Sequence, residues 1–262
     1  MSDATALATE AAADHARRFG GVARLFGDAA LDALAASHVV VVGVGGVGSW
    51  AAEALARSAV GRITLIDMDH VAESNINRQI HALDTTLGRS KIEAMAERIA
   101  AISPRCRVDR VDDFVDPGNA STLVTPDADV VIDAIDAPAA KAALVAACVR
   151  RGQALVVCGG AGGRLDPLHL VHGDLSESRH DPLLASLRAR LRREHGFPRA
   201  GKGRFGVSAL WFDAPGLAGV SPLPGAGTPL ACAGYGSLVT VTAPLGFAAA
   251  GLALQRVLGR PR

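Results

Sequence analysis

Four consecutive valines, Val39–Val42, run directly into Gly43-Val44-Gly45-Gly46-Val47-Gly48, and a helix-forming stretch follows. This order constrains the fold more than any other feature of the chain. An unbroken β-branched run reads as a strand buried on both faces, the signature of a parallel sheet. The glycines permit a tight turn and let backbone N–H groups approach phosphates at a helix N-terminus. Residues 46–59 read as that helix, with Trp50, Ala51, Ala54 and Leu55 spaced for one face. A second strand at 63–66 ends in Asp67, where a carboxylate can accept from ribose hydroxyls.

The alternation continues. A helix is predicted over 90–102, stopped by Pro104, then a strand over 106–111 and another over 130–132 that ends in Asp133. A helix over 139–151 leads to a strand over 154–157 and Cys158-Gly159-Gly160. Strands alternating with helices imply crossover units, hence an α/β, Rossmann-like, doubly wound and mainly parallel sheet that binds ligands at its strand ends. After Gly163 the pattern changes to an Arg-rich helix over 181–195, a loop over 196–206, a strand at Gly206-Val207 and a Gly/Pro-rich stretch over 215–229. We read a single domain over 1–262: an N-terminal helical arm (1–37), a nucleotide-binding core (38–160) and C-terminal strand/helix elaborations on the substrate side (161–262).

An apolar share of 49% over 262 residues excludes a disordered chain. A net charge of +1 excludes a uniformly basic nucleic-acid coat but not a local basic patch. Such a patch lies within 179–204, with Arg188, Arg192, Arg193, Lys202 and Arg204 among its cations. It reads either as a solvated helix face or as a phosphate-binding surface. The four cysteines, Cys106, Cys148, Cys158 and Cys232, form no C-x-x-C pair, and free thiols in a reducing cytoplasm are expected. No charged side chain occurs from Ala214 to Gln255, and residues 234–254 are long enough for a membrane span. Thr240, Thr242, Pro244 and several glycines weaken that reading. A strand and helix buried against the sheet is preferred, and membrane association is the minor alternative. Basic residues comprise 24 arginines and only three lysines, Lys91, Lys141 and Lys202, a bias that coding composition explains.

A glycine loop alone fits a nicotinamide dehydrogenase and an ATP enzyme equally, and it also fits a turn with no ligand. The next segment discriminates. Asp67-Met68-Asp69, then Asn75-Ile76-Asn77-Arg78-Gln79, then Lys91 form a polar cluster that hydride transfer does not need. ATP cleavage does: Arg78 can fork onto phosphate oxygens, Lys91 can supply a point charge, and an acid can hold Mg²⁺. Singly, each residue reads as an ordinary surface or helix side chain; together they favour a site.

With GVGGVGSW at 43–50, LIDMD at 65–69, NINRQ at 75–79, GRSK at 88–91 and DAID at 133–136, the sequence resembles the E1-like adenylating superfamily. RRFGGVARLFG at 17–27, RQIHAL at 78–83, GGAGGRLDP at 159–167, KGRFGV at 202–207 and CAGYGSLVTVTAPLGF at 232–247 resemble one branch of it, the tRNA threonylcarbamoyladenosine dehydratases. The resemblance implies adenylation of a carboxylate on a modified adenosine in tRNA, release of pyrophosphate, and ring closure that expels AMP. It implies ATP and Mg²⁺ as the small-molecule requirements, an RNA substrate with no DNA, and a homodimer. It implies that Gly43, Gly45, Gly46 and Gly48, with Ser49 behind them, line the phosphate loop and that Asp67 binds ribose with Asp69 nearby. Asn75, Arg78, Gln79 and Lys91 are expected on the triphosphate, and Asp136 on Mg²⁺, with Asp133 as the less favoured ligand. Arg18 is expected to reach the partner subunit's ATP. Cys232 is either a buried structural thiol or an acyl acceptor. The chain departs from the superfamily at Ala137-Pro138 and from the branch at Trp211-Phe212-Asp213-Ala214, and its 215–231 linker is short. The alternative activity is adenylation of a ubiquitin-like sulfur carrier. The missing cysteine pairs and the basic stretch speak against it, and docking of a sulfur-transfer protein stays open.

Overall fold

The computed structural model describes residues 3–216 and 236–259, with side chains from Asp14 onward. The valine run forms β1 (His38–Val42), all five of whose residues are buried. A short strand hidden on both faces needs a hydrogen-bonding neighbour on each edge and a helix layer on each side. Both are present. β1 pairs in parallel with β2 (Arg62–Ile66) on one edge and β4 (Val130–Asp133) on the other. Beyond them lie β3 (Arg107–Val111) on one side and β5 (Ala154–Cys158), β7 (Ser208–Phe212) and β6 (Leu170–Asp174) on the other, giving, among the described residues, a seven-stranded sheet in the order β3-β2-β1-β4-β5-β7-β6. The chain fills one side of β1 first and then crosses to the other. The β1/β4 boundary is therefore a topological switch point, where helices leave in opposite directions and a crevice opens.

The alternation of β1 divides the core. Val39 and Val41 face a layer built by α3 (Gly48–Arg57), α4 (Lys91–Ile102) and α8 (Val239–Val257). Val40 and Val42 face α5 (Ala120–Leu123), α6 (Pro138–Arg150) and α7 (Pro182–Glu194). Two further helices, α1 (Asp3–Phe26) and α2 (Asp28–Ala36), form the N-terminal arm. Predicted and observed core elements agree to within one or two residues at most ends, because strand burial and helical spacing are both strong local signals there.

The C-terminal part differs from expectation in two ways. The strand anticipated at Gly206-Val207 is β7 (Ser208–Phe212), parallel to β5. Its outer partner, β6 (Leu170–Asp174), runs antiparallel and was not anticipated. As an edge strand of half-buried residues broken by His172-Gly173, β6 lacks the apolar run or clean alternation that marks a strand. The Trp211-Phe212 departure is accounted for, since both side chains are buried in the sheet core.

Within the uncharged C-terminal segment, Val239–Val257 form a helix packed on α3, and residues 236–238 form no strand. Gly246 permits that packing. A Cβ there would lie 2.4 Å from the Val47 carbonyl oxygen and 2.9 Å from Trp50 Cβ. Among the described residues no helix is long and apolar enough to cross a membrane, which replaces the membrane-span reading of 234–254. Because the obstacle is backbone, Gly246→Ala should destabilise the fold by about 1–3 kcal/mol. A urea midpoint equal to wild type would show that the α3–α8 crossing can relax.

Candidate active site

A cleft of about 470 Å³ opens at the carboxyl ends of β1, β2, β4 and β5. Its floor is the glycine loop. Gly43 has φ +85°, and a Cβ on it would sit 2.9 Å from the Ala134 carbonyl oxygen. A Cβ on Gly48 would fall 1.8 Å from the Gly43 carbonyl oxygen. The first turn of α3 can therefore fold back onto the end of β1 only with glycine at both positions. Gly45 and Gly46 lie between them and line the cleft, where the helix N-terminus presents unpaired N–H groups.

Asp67 fastens this loop to β2. The Val44 N–H donates to its Oδ2 at 2.6 Å, and the Asp69 N–H donates to Oδ1 at 2.9 Å. Burial pushes the Asp67 carboxyl above its ordinary range, opposed by Lys91 and by these two N–H donors. Each carboxylate oxygen keeps a second lone pair for a ribose hydroxyl.

The polar cluster forms one wall. Lys91 is the first residue of α4, and its nearly buried Nζ lies 2.7 Å from Oδ2 of the exposed Asp69. Asn75 Oδ1 accepts the Ala72 N–H at 3.1 Å and closes a short turn. Arg78 Nη1 donates to the Ser74 carbonyl at 2.6 Å and to Asn77 Oδ1 at 3.0 Å. The Arg78 carbonyl accepts from Trp50 Nε1 at 2.9 Å, which ties this loop to α3. Gln79 is buried beside Gly45, and its Oε1 has no hydrogen-bond partner among the described residues. An unpaired buried amide oxygen on a cleft wall fits a polar ligand. Asp136 lies exposed on the opposite side, two residues ahead of Pro138, which starts α6. Among the described residues no group of three or more His, Cys, Asp or Glu could cage a metal. A single carboxylate such as Asp136 suits Mg²⁺, which takes one or two protein oxygens and the rest from phosphates and water.

Gly43, Gly45, Gly46, Asp67, Asp69, Asn75, Arg78, Gln79, Lys91 and Asp136 thus converge on one cleft. Others do not. Gly48 and Ser49 are buried in α3 and do not line it; Gly48 serves backbone packing, and Ser49 Oγ has no hydrogen-bond partner among the described residues. Asp133 is fully buried in an ion pair with Lys141 and is absent from the cleft wall. Arg18 is not at its own chain's cleft: its Nη1 donates to the Ile102 carbonyl at the end of α4 at 3.1 Å. Arg188 and Arg192 turn partly inward. Arg188 donates to Ser178 Oγ, and Arg192 donates to the Pro198 carbonyl and covers the Phe205 ring. Arg192 thus holds the 196–206 loop, and Arg188 is tied to the turn before α7, so the basic face is carried by the exposed Arg193, Lys202 and Arg204. Arg204 is itself 3.2 Å from Glu177. Cys232 lies outside the described residues.

Two parts of the wall escaped the sequence reading. Phe114, 54% exposed just after β3, offers an aromatic face to the cleft, and Gly159-Gly160 with Leu183 closes the β5 side. An exposed aromatic in the turn Asp112-Asp113-Phe114 was the available signal for the first.

A family model described as the ThiF family matches residues 20–262. The chain belongs to the ThiF family. It is 46% identical to the tRNA threonylcarbamoyladenosine dehydratase of Escherichia coli K12 over 253 residues, covering 93% of this chain and 94% of that protein. It is 41% identical to the dehydratase of the same name from Haemophilus influenzae, over 94% and 95% of the two chains. A crystal structure of the E. coli enzyme in complex with ATP superposes with a TM-score of 0.85 at 46% identity, covering 93% and 95%. Likeness to the E. coli molybdopterin-synthase adenylyltransferase is 35% over 117 residues, only 45% of this chain and 47% of that one. Within this ThiF-family chain the adenylate-forming resemblance and the Rossmann-like sheet are one and the same framework.

His81, next to the cluster, is buried with neither ring nitrogen paired among the described residues. Burial, with Lys91 and Arg98 adding repulsion, depresses its pKa from 6.5 to about 4. The folded chain keeps the ring neutral while the unfolded chain takes a proton below about pH 6.5. This contribution to stability is therefore intact above that pH and is lost as pH falls toward 4. Between pH 7 and pH 5 wild type should lose about 2 kcal/mol more than His81→Leu in urea titrations. Parallel losses in the two proteins would remove His81 as the cause.

Proposed function

We propose that this chain is an ATP-dependent tRNA threonylcarbamoyladenosine dehydratase that cyclises its substrate through an acyl-adenylate. The observation that carries this is the convergence of the glycine loop, Asp67, Arg78, Lys91 and Asp136 on one cleft, in a chain nearly half identical over its length to dehydratases of that name.

The substrate carboxylate attacks the α-phosphorus of ATP, and the bond to the bridging oxygen breaks to release pyrophosphate. A nitrogen of the same threonylcarbamoyl group then attacks the activated carbonyl carbon, loses its proton, and expels AMP. The net change in the nucleoside is loss of one water. Adenylate is a far better leaving group than hydroxide, so the second step needs mainly positioning. Backbone N–H groups of Gly45 and Gly46, with Arg78 and Lys91, face the phosphates and stabilise the charge that builds on them. Asp67 holds the ribose, and Phe114 offers the base a stacking face. Asp136 would hold Mg²⁺, which when bound would neutralise phosphate charge. Lys91 exchanges part of its interaction with Asp69 for phosphate oxygens.

The exposed Arg193 in the last turn of α7, with Lys202 and Arg204 in the loop after it, can meet the tRNA backbone. The enzyme acts in the cytoplasm as a homodimer in which Arg18 of one subunit serves the other's nucleotide. Activation of a sulfur-carrier protein is the second reading. It has less support, because the chain has no C-x-x-C pair and its likeness to such an activator ends midway.

Incubation with ATP, Mg²⁺ and threonylcarbamoylated tRNA should yield a nucleoside lighter by one water in mass spectrometry. An unchanged nucleoside, with adenylation of a Gly-Gly-tailed protein instead, would sink the dehydratase reading. Lys91→Ala should lower AMP formation by about 100-fold or more with an unaltered circular dichroism spectrum. Wild-type turnover in that variant would exclude Lys91 from the chemistry.

A further inference from the structure

Coding bias supplies arginine almost everywhere in this chain, yet a lysine stands at one of the most buried positions of the fold. Lys141, in α6, is 0% exposed, as is its partner Asp133 at the end of β4. Nζ lies 2.9 Å from Asp133 Oδ1, 3.2 Å from the Asp133 carbonyl and 3.0 Å from the Ile135 carbonyl. An ammonium has three N–H donors, and all three have an acceptor here. The Ile135 N–H also donates to Asp133 Oδ1, at 3.1 Å. One compact cation thus draws the turn 133–135 together, and the next residue is Asp136. A guanidinium is a planar fork and cannot converge three donors on one tight turn.

We infer that Lys141 is a positioning residue for the nucleotide site, a buried clamp that fixes the 133–136 turn so that Asp136 meets Mg·ATP. The inference rests on the ATP reading above but not on the tRNA substrate. Groups that orient a metal-binding carboxylate typically change affinity by about 10- to 100-fold when removed.

The test uses the full chain and calorimetric titration with ATP, once with Mg²⁺ and once with EDTA. Lys141→Met keeps the aliphatic stem but leaves the Asp133 charge alone in the core. The double variant Lys141→Met/Asp133→Asn removes both charges and keeps an acceptor for the Ile135 N–H. In the double variant the gain in ATP affinity from Mg²⁺ should shrink about tenfold, while affinity in EDTA stays at the wild-type value. Asp136→Ala should abolish the same gain, and adding the double variant to it should cost nothing more. Equal losses with and without Mg²⁺, an undiminished gain, or additive losses would overturn the inference. So would failure of both clamp variants to reach the wild-type circular dichroism spectrum, which would make the pair structural only. A protein that passes this test but leaves threonylcarbamoylated tRNA unchanged would refute the substrate and keep the clamp.

Discussion

The contact on which the rest of the site depends is between two stretches of backbone. The first turn of α3 lies so close to the end of β1 that a Cβ on Gly48 would overlap the Gly43 carbonyl. Only that proximity lets the N-terminus of α3 open directly onto the crevice between β1 and β4. The second wall follows from it. Asp67 reaches the Val44 N–H because the loop is pulled down, and the turn after β4 can approach Gly43 because no side chain stands between them. Phosphate chemistry at this point needs N–H donors that cost no reorganisation, and a loop fixed by backbone contact provides them.

Charge is then distributed by shape. Arginine serves where a long fork can span elements, as in Arg98 donating to Glu53 across α3 and α4, or Arg62 meeting Asp109 and Asp127. Lysine is kept for two enclosed places, beside Asp69 on the cleft wall and beside Asp133 beneath the β4 turn. In both, a compact ammonium meets a carboxylate as a point charge rather than as a planar fork. The third lysine, Lys202, is exposed, where either cation would serve.

Much of the fold was legible because its signals are local. The valine strand, the glycine loop and the spacing of α3 each announce themselves within a few residues. β6 did not, since an edge strand with one weakly buried face has neither an apolar run nor strict alternation. The apolar tail was ambiguous for the opposite reason. A helix buried in a protein and one buried in lipid are both rich in apolar residues, and here the helix bounds and the packing of Gly246 on Val47 and Trp50 distinguish them. Within the site, chemically distinctive residues such as Arg78 and Lys91 could be picked out by type, whereas Asp136 was pointed to by the family resemblance. Ser49 could not be judged by adjacency to the loop, because one step along a helix rotates a side chain by about 100° and turns it into the core. Phe114 comes from a segment with no motif.

The sequence by itself determined that a parallel sheet would carry a phosphate-binding loop, and that its polar cluster suits ATP cleavage rather than hydride transfer; adenylation itself is what the family resemblance implies. Those conclusions depend on residue types and short spacings, which survive without coordinates. The tertiary structure decided which of two nearby carboxylates is available. Asp133 and Asp136 are three residues apart and alike in sequence, but the strand ends between them. One side chain is committed to Lys141 inside the core, and the other is left in the cleft. It likewise sorted the arginines of α7 and its loop into those that hold structure and those that face solvent. Burial is a property of the whole packing, and no local pattern encodes it.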